Sequence, residues 1–411
     1  MTRNALLLML VASACVAGWR ITQGMLADAV LASGDVESAL RWQPAHPEAL
    51  LQQAELALSA KRINAAATSA RRMLQVVPTD GRGYRILAQV ADAEGQRVLA
   101  RRLFLIGARR APRDLPARAW LAQDALERGQ SIQALDQIDA VLTLSPSTGG
   151  SVFPIMVTLA ADPAFAEALA ARLQRAPAWR GGMLAALRQA RPADREVADR
   201  VLSILQRRDG FDQDETIAWT ESLIRNGRWG EAYARWASPL VSSGVALPLL
   251  FNGDFGREPS GAGFDWRMPP TPGVLLELEH GGNGSLVLHA RFLGRRVAGA
   301  FLEHRLLLPP GRFQFQVRQR SDALRSDSGL EWTLGCDGTS EPLARTSPLK
   351  GTRDWATTTM QWQVPTTDCQ GQWLRLANAG AAGAGQLVAG EAWIDDAVIK
   401  GLHADQKAGA E

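Results

Sequence analysis

Residues 78–112 read PTDGRGYRILAQVADAEGQRVLARRLFLIGARRAP, and this stretch decides the fold of the first half of the chain. It opens and closes on proline, and Pro44, Pro78, Pro112 and Pro146 stand at intervals of 34 residues. Repetition at that period is the signature of a helix-turn-helix solenoid, a scaffold for recognition rather than a catalytic framework.

The residues between the prolines resemble the tetratricopeptide repeat family. In the unit from Gly81 to Asp114, Tyr84, Leu87, Ala88, Ala91, Ala100, Phe104, Gly107 and Pro112 fall on the family's pattern. Leu121, Ala122, Ala125, Ala134, Ile138, Val141 and Pro146 do so in the unit from Leu115, and Ala54 and Ala66 in the unit from Pro47. Small residues where two helices cross let the backbones approach, and large ones fill the groove beside them. The first unit departs from the pattern, with Leu50 where an aromatic is usual and Ala70 in place of a large packing residue. Residues 24–43 read as the partner helix of an incomplete first repeat, so the array covers 24–146. After Pro146 the spacing fails. Residues 147–150 form a turn-rich break, and 152–161, 163–175, 182–190 and 194–208 keep a helical period without the signature. Residues 213–240 recover part of it through the turn Asn226-Gly227-Arg228-Trp229 and through Ala232 and Trp236. We read 147–246 as degenerate repeats completing one solenoid, with a separate small helical bundle as the alternative.

The resemblance also assigns a binding surface. In this family the first helix of each pair builds the concave face, which here carries Glu48, Glu55, Arg82, Arg85, Gln89, Asp92, Gln123 and Glu127. Mixed charge suits a peptide or protein segment better than a uniformly charged ligand. The alternative for any single one of these residues is plain solvation.

At Leu247-Pro248 the grammar changes from a helical period to alternation. Strands are predicted over 274–280, 285–292, 300–308, 312–320, 329–336, 355–364, 372–378 and 391–400, enough for an antiparallel β-sandwich spanning 247–402. The fold class is therefore α followed by β. Asn252-Gly253-Asp254-Phe255, Phe264-Asp265-Trp266, Leu308-Pro309-Pro310-Gly311 and Trp393-Ile394-Asp395-Asp396 occur in the order seen in jelly-roll, galactose-binding-like carbohydrate-binding modules, and the domain resembles them. The pairing of such a module with helical repeats is similar to bacterial envelope proteins of exopolysaccharide clusters. The resemblance implies a structural calcium held by Asp254 and Asp396, although Gly256 stands where an acidic residue is usual; loop-fixing hydrogen bonds are the alternative.

Alternation assigns faces within the strands. Phe313, Phe315 and Val317 oppose Gln314, Gln316 and Arg318, and Met360, Trp362 and Val364 oppose Gln361 and Gln363. Trp332 and Trp362 therefore belong to the core, whereas Trp373 points outward with Arg375. Trp373, Arg375, Gln314, Gln316, Arg318, Gln361 and Gln363 make up the predicted sugar-binding set; an edge cover or a dock for the helices is the other reading of Trp373. Cys336 and Cys369 are the only cysteines of this region and read as a disulfide in an oxidising compartment, against two buried thiols.

Location and exclusions come from the ends of the chain and from composition. Arg3, an apolar run from Ala5 to Trp19, and Arg20 form an export segment over 1–23. Its fates are an inner-membrane anchor over 5–23, a cleaved signal, or lipidation at Cys15, and all place the body in the bacterial periplasm or beyond it. Residues 403–411 read as a disordered tail. A net charge of +3 argues against nucleic acid. Nucleophile-elbow, phosphate-loop and zinc-ligand motifs are missing, and Glu303 and Glu331 stand among many ordinary carboxylates, so no enzyme is expected. The expectation is an envelope scaffold whose repeats bind protein partners and whose sandwich binds a polysaccharide. The alternatives are a structural interaction protein without a sugar site and a degenerate polysaccharide-modifying enzyme.

Overall fold

The structure, a computed structural model, describes residues 3–281, 286–379 and 385–402, apart from the side chains of 3–10. The tail expected over 403–411 lies outside the described residues. Two compact units divide the chain, Met1–Phe211 and Asp212–Glu411.

The first unit is helical: α1 (Arg3–Ala32), α2 (Val36–Trp42), α3 (Pro47–Ser59), α4 (Ile63–Val76), α5 (Gly81–Ala93), α6 (Arg97–Arg110), α7 (Leu115–Glu127) and α8 (Ser131–Leu144). The period read from proline is the period of the backbone, because α3, α5 and α7 begin 34 residues apart and so do α4, α6 and α8. Each proline stands two residues beyond the helix before it, where a residue unable to continue a helix is wanted. Two residues after it comes the N-cap of the next pair. His46, Asp80 and Asp114 occupy that place, and each side chain accepts a backbone N–H of the first turn. Within each pair the turn needs a left-handed residue, supplied by Gly95 (φ 78°), Gly129 (φ 68°) and, in the first unit, Lys61 (φ 57°).

Ala54, Ala66, Ala88, Ala100 and Ala134 are buried at the helix crossings, with Phe104 beside them. In the first unit the two departures from the pattern, Leu50 and Ala70, are both buried and share one core cluster with Met73. The last turns of α1 pack Leu31 against Val36, Ala39 and Ala49, as a partial first repeat requires. Farther back α1 exposes Val11, Val16, Trp19, Ile21 and Met25. Among the described residues no single helix is long and apolar enough to cross a membrane.

Beyond α8, residues Pro146–Thr148 take one 3-10 turn, followed by α9 (Gly149–Leu159), α10 (Pro163–Gln174), α11 (Arg180–Arg188) and α12 (Arg195–Arg207). The break expected over 147–150 is shorter than predicted. Gly149 already starts α9, 34 residues after the start of α7, so the backbone period outlives its proline marker by one helix.

The second unit opens with α13 (Gln213–Arg225), started by a capping box between Asp212 and Glu215, and α14 (Trp229–Ser242). Their lengths of 13 and 14 residues and the left-handed Gly227 between them reproduce the repeat hairpin. The sequence reading grouped this hairpin with the solenoid, whereas in the structure it belongs to the same compact unit as the strands.

Two antiparallel five-stranded sheets follow among the described residues. The first, in the order β1-β4-β9-β6-β7, contains β1 (Trp266–Arg267), β4 (Ala300–Leu306), β9 (Gln372–Asn378), β6 (Leu330–Cys336) and β7 (Ala344–Arg345). The second, in the order β2-β3-β10-β5-β8, contains β2 (Val274–His280), β3 (Leu286–Val297), β10 (Gln386–Gly401), β5 (Gly311–Arg325) and β8 (Gly351–Val364). Phe313, Phe315, Val317, Trp332, Met360, Trp362, Leu374 and Leu376 meet in the core between the sheets. The alternation predicted this placement. β5, β8 and β10 run longer than predicted, the ladder continuing through pairs such as Ser321↔Arg353 and Ala389↔Arg325 with Leu324 and Val388 in the core. Cys336 and Cys369 form a disulfide, while Cys15 is free and exposed.

Candidate functional site

In the helical unit the residues predicted for the concave face are tied to one another across repeats. Arg82 donates to Glu48 Oε2 at 2.9 Å and to its own cap Asp80 at 2.8 Å. Arg85 donates to Asp114 at 2.8 Å, to Gln89 at 3.1 Å and to Glu55. Arg97 bonds both Asp92 and Glu127, Trp120 Nε1 reaches Asp92 at 2.8 Å, and Gln123 donates to Glu127 at 3.0 Å. Partners some 30 positions apart belong to neighbouring repeats, so this row fixes the register between helix pairs. Arg85 is only 7% exposed and is spent on that task, whereas Glu48, Glu55 and Glu127 keep half-exposed carboxylates.

In the second unit the predicted sugar-binding set separates onto two different sheets. Trp373 and Arg375 lie on the outer face of the β4-β9-β6 sheet, while Gln314, Gln316, Arg318, Gln361 and Gln363 lie on the outer face of the β5–β8 pair. Alternation tells which residues of a strand face outward, but not which sheet of the sandwich the strand joins. The expectation of one combined sugar site is corrected accordingly.

The face bearing Trp373 is a cleft of about 560 Å³. Register builds its floor, because Arg375 of β9 stands between Glu303 of β4 and Thr333 of β6. Arg375 Nε donates to Glu303 Oε1 at 3.0 Å, and Arg345 Nη1 lies 3.5 Å from Glu331 Oε1. Asn378 and Gln386 add amides at one end. The Trp373 indole is held by the guanidinium groups of Arg305 and Arg375, 4.7 and 4.8 Å from its centroid, and its Nε1 donates to Asp337 at 2.9 Å. These cleft residues, Trp373 and Arg375 apart, were not singled out as sugar ligands from sequence. The signal lay in their outward phase, but it needed the strand order to be read. Cys336 lines the same cleft, so the disulfide braces its rim.

The α13–α14 hairpin docks on the same face of this sheet, through Arg305, the register partner of Trp373. Glu221 accepts from Arg305 Nη1 at 2.6 Å, from Arg267 Nη1 at 3.1 Å and from the Gly263 N–H at 3.2 Å. Burial opposes ionisation of Glu221, but the hydrogen bond and charge of Arg305, with Arg267 behind them, hold its carboxyl below the usual range. Trp229 sits so close to Gly371 that any β-carbon there would lie 2.1 Å from the ring. Trp236 packs edge-on to Phe251 and against Phe264. Arg305 therefore links the hairpin to the wall of the cleft. His304 beside it is fully buried with a pKa pushed down to about 4, chiefly by that burial, although Asp265 and the carbonyls of Arg305 and Phe251 pull the other way.

The two carboxylates that the resemblance assigns to calcium, Asp254 and Asp396, each meet a protein group. Asp396 lies 3.3 Å from Arg318, and Asp254 accepts the Gly256 N–H at 3.2 Å. Among the described residues no three His, Cys, Asp or Glu side chains gather as a metal site.

No protein-family description and no curated protein sequence matches the chain. Solved structures do. A thermophilic TPR protein from Thermus thermophilus is 20% identical over 45% of this chain and 98% of its own, with a TM-score of 0.26. A CBM4 domain is 11% identical over 37% of this chain and 99% of its own, with a TM-score of 0.29. TmCBM61, solved with β-1,4-galactotriose, is 12% identical over 38% of this chain and all of its own, with a TM-score of 0.26.

Proposed function

We propose that the chain is a non-enzymatic scaffold of the bacterial periplasm, in which the helical repeats hold a protein partner and the sandwich binds a polysaccharide in the Trp373 cleft. The observation that carries this reading is the cleft itself. It presents an indole held in place by two guanidinium groups, together with amide, hydroxyl and charged groups on a floor that is open along the strands, the mixture that recognises sugar rings and hydroxyls. The carboxylates that a glycoside hydrolase would need as a pair are each held by an arginine, Glu303 by Arg375 and Glu331 by Arg345, which supports binding without turnover. The export segment over 5–23 supports an inner-membrane anchor, and the likeness to exopolysaccharide-cluster proteins supports a place in envelope polysaccharide assembly.

Affinity gel electrophoresis of the full chain through the organism's own envelope polysaccharide tests the sugar reading. Wild type should be retarded and Trp373→Ala should run as in a blank gel; equal mobility of both throughout counts against it. One observation favours a second reading. Both guanidiniums and Asp337 already engage Trp373, as they would in a domain that keeps the sandwich for structure alone. On that reading, pull-downs from membranes recover protein partners only.

A further inference from the structure

We propose that the outer face of the β5–β8 pair is a second binding track, separate from the Trp373 cleft, and that its ligand is an acidic polysaccharide. The register sets Arg312 opposite Gln363, Gln314 opposite Gln361, Gln316 opposite Thr359 and Arg318 opposite Thr357, all on the solvent side of the sheet. From Arg312 to Arg320 this row runs roughly 27 Å at strand spacing, the length of several sugar rings. Amides and hydroxyls alternate along it. Between 311 and 320 and between 355 and 364 there are three arginines and no acidic residue, and Lys400 of the neighbouring β10 adds a cation opposite Gln314.

One end of the track is a cleft of about 450 Å³ lined by Trp355, Arg318, Arg320, Trp393 and Glu279. The Arg318 guanidinium lies 4.6 Å from the centroid of Trp355, an indole 37% exposed, and its buried Nε has no hydrogen-bond partner. That guanidinium also faces Asp396 at 3.3 Å and Asp395 at 3.8 Å, so its charge is partly met. Arg320 is different. It stacks 4.7 Å over Trp393, which is itself stacked on His289 at 4.6 Å, and no carboxylate pairs with it among the described residues. The His289 ring is bonded by Glu279 at 2.6 Å and Glu391 approaches its other nitrogen at 3.2 Å, so those acids face the stack rather than Arg320. A guanidinium seated over an indole with no carboxylate partner keeps N–H donors for a ligand carboxylate, and carboxylates spaced along a glycan would meet Arg320, Arg318 and Arg312 in turn while the amides take hydroxyls.

The test is native affinity electrophoresis of the full chain through polygalacturonate, with neutral galactan and polyglutamate as parallel gels. Wild type should be retarded by polygalacturonate, and the double variant Arg318→Gln, Arg320→Gln should bind about tenfold or more weakly, the loss expected of charge-assisted hydrogen bonds. Trp373→Ala should leave polygalacturonate binding unchanged. If the double variant fails to fold, Gln361→Ala with Gln363→Ala on the exposed edge strand carries the same test through a several-fold loss. The proposal is overturned by no retardation in polygalacturonate, by equal retardation of wild type and variants, by loss of retardation in Trp373→Ala, or by polyglutamate binding as tightly, which would assign the face to acidic polypeptides.

Discussion

Lys61 stands where the other repeat units have Gly95 and Gly129, in the same left-handed turn at φ 57°. A side chain in that conformation costs on the order of 1 kcal/mol. Lys61→Gly should therefore raise the free energy of unfolding by up to about 0.6 kcal/mol in a urea titration, the strain relief outweighing the extra unfolded-state entropy. A loss of stability would mean that the lysine makes a contact worth more than its strain. Two buried titratable groups draw the stability of the second unit down in acid, while Asp395, whose carboxyl pKa is raised by burial, acts in the opposite direction. His304, with its pKa lowered from 6.5 to about 4, folds neutral, so its contribution is complete above pH 6.5 and is lost as pH falls towards 4. Glu221, with its pKa lowered, folds ionised, so its contribution is present above the ordinary carboxyl range and is lost as pH falls through its depressed value. Both signs agree. Melting temperatures recorded between pH 7 and pH 4 should fall from about pH 6.5 downwards, and a flat profile over that range would contradict the assignment of a neutral buried imidazole. At this scale the sequence told which residues face outward, but partners such as Glu221 for Arg305, 84 positions apart, were beyond it.

The helices of the repeat array were the most legible elements, because a 34-residue period repeats the same helix start, cap and turn in successive units. Where proline stops marking the period, the reading lost accuracy at the 147–150 break, though the backbone kept step for one helix more. Strand existence was legible from alternation, and strand ends were not, since the extensions of β5, β8 and β10 mix polar, small and glycine residues with single core positions such as Leu324 and Val388. The α13–α14 hairpin shows the limit most clearly. Its pattern is that of a repeat, yet its aromatic residues pack on the sandwich, and a local pattern does not reveal which neighbour an apolar face meets. Trp229→Ala should cost about 3–5 kcal/mol in the unfolding of the second unit, as removal of a buried aromatic does, and should increase proteolysis between α14 and β1. Unchanged unfolding would refute the docking of α14 against Gly371. The Cys336–Cys369 bridge closes a loop of 33 residues, so reduction should destabilise the same unit by about 3–4 kcal/mol while leaving the helical unit's transition in place.

For the whole molecule, the division into a helical-repeat unit and a sandwich-bearing unit fits the two tasks proposed above, protein contact and glycan contact. The inter-repeat ion pairs tie neighbouring repeats together along the face that the resemblance reads as concave. The two faces of the sandwich explain why residues predicted as one sugar site became two surfaces. Fractionation of cells with protease protection should place the body outside the cytoplasm and keep it with the inner membrane; recovery in the cytosol would remove the envelope setting. The central claim is that the Trp373 cleft binds polysaccharide, and hydrogen exchange measured by mass spectrometry on the full chain, with and without the organism's own polysaccharide, tests it most directly. The account predicts slowed exchange in residues 330–345 and 372–379, absent in Trp373→Ala. Unchanged exchange in those segments at saturating polysaccharide would contradict it.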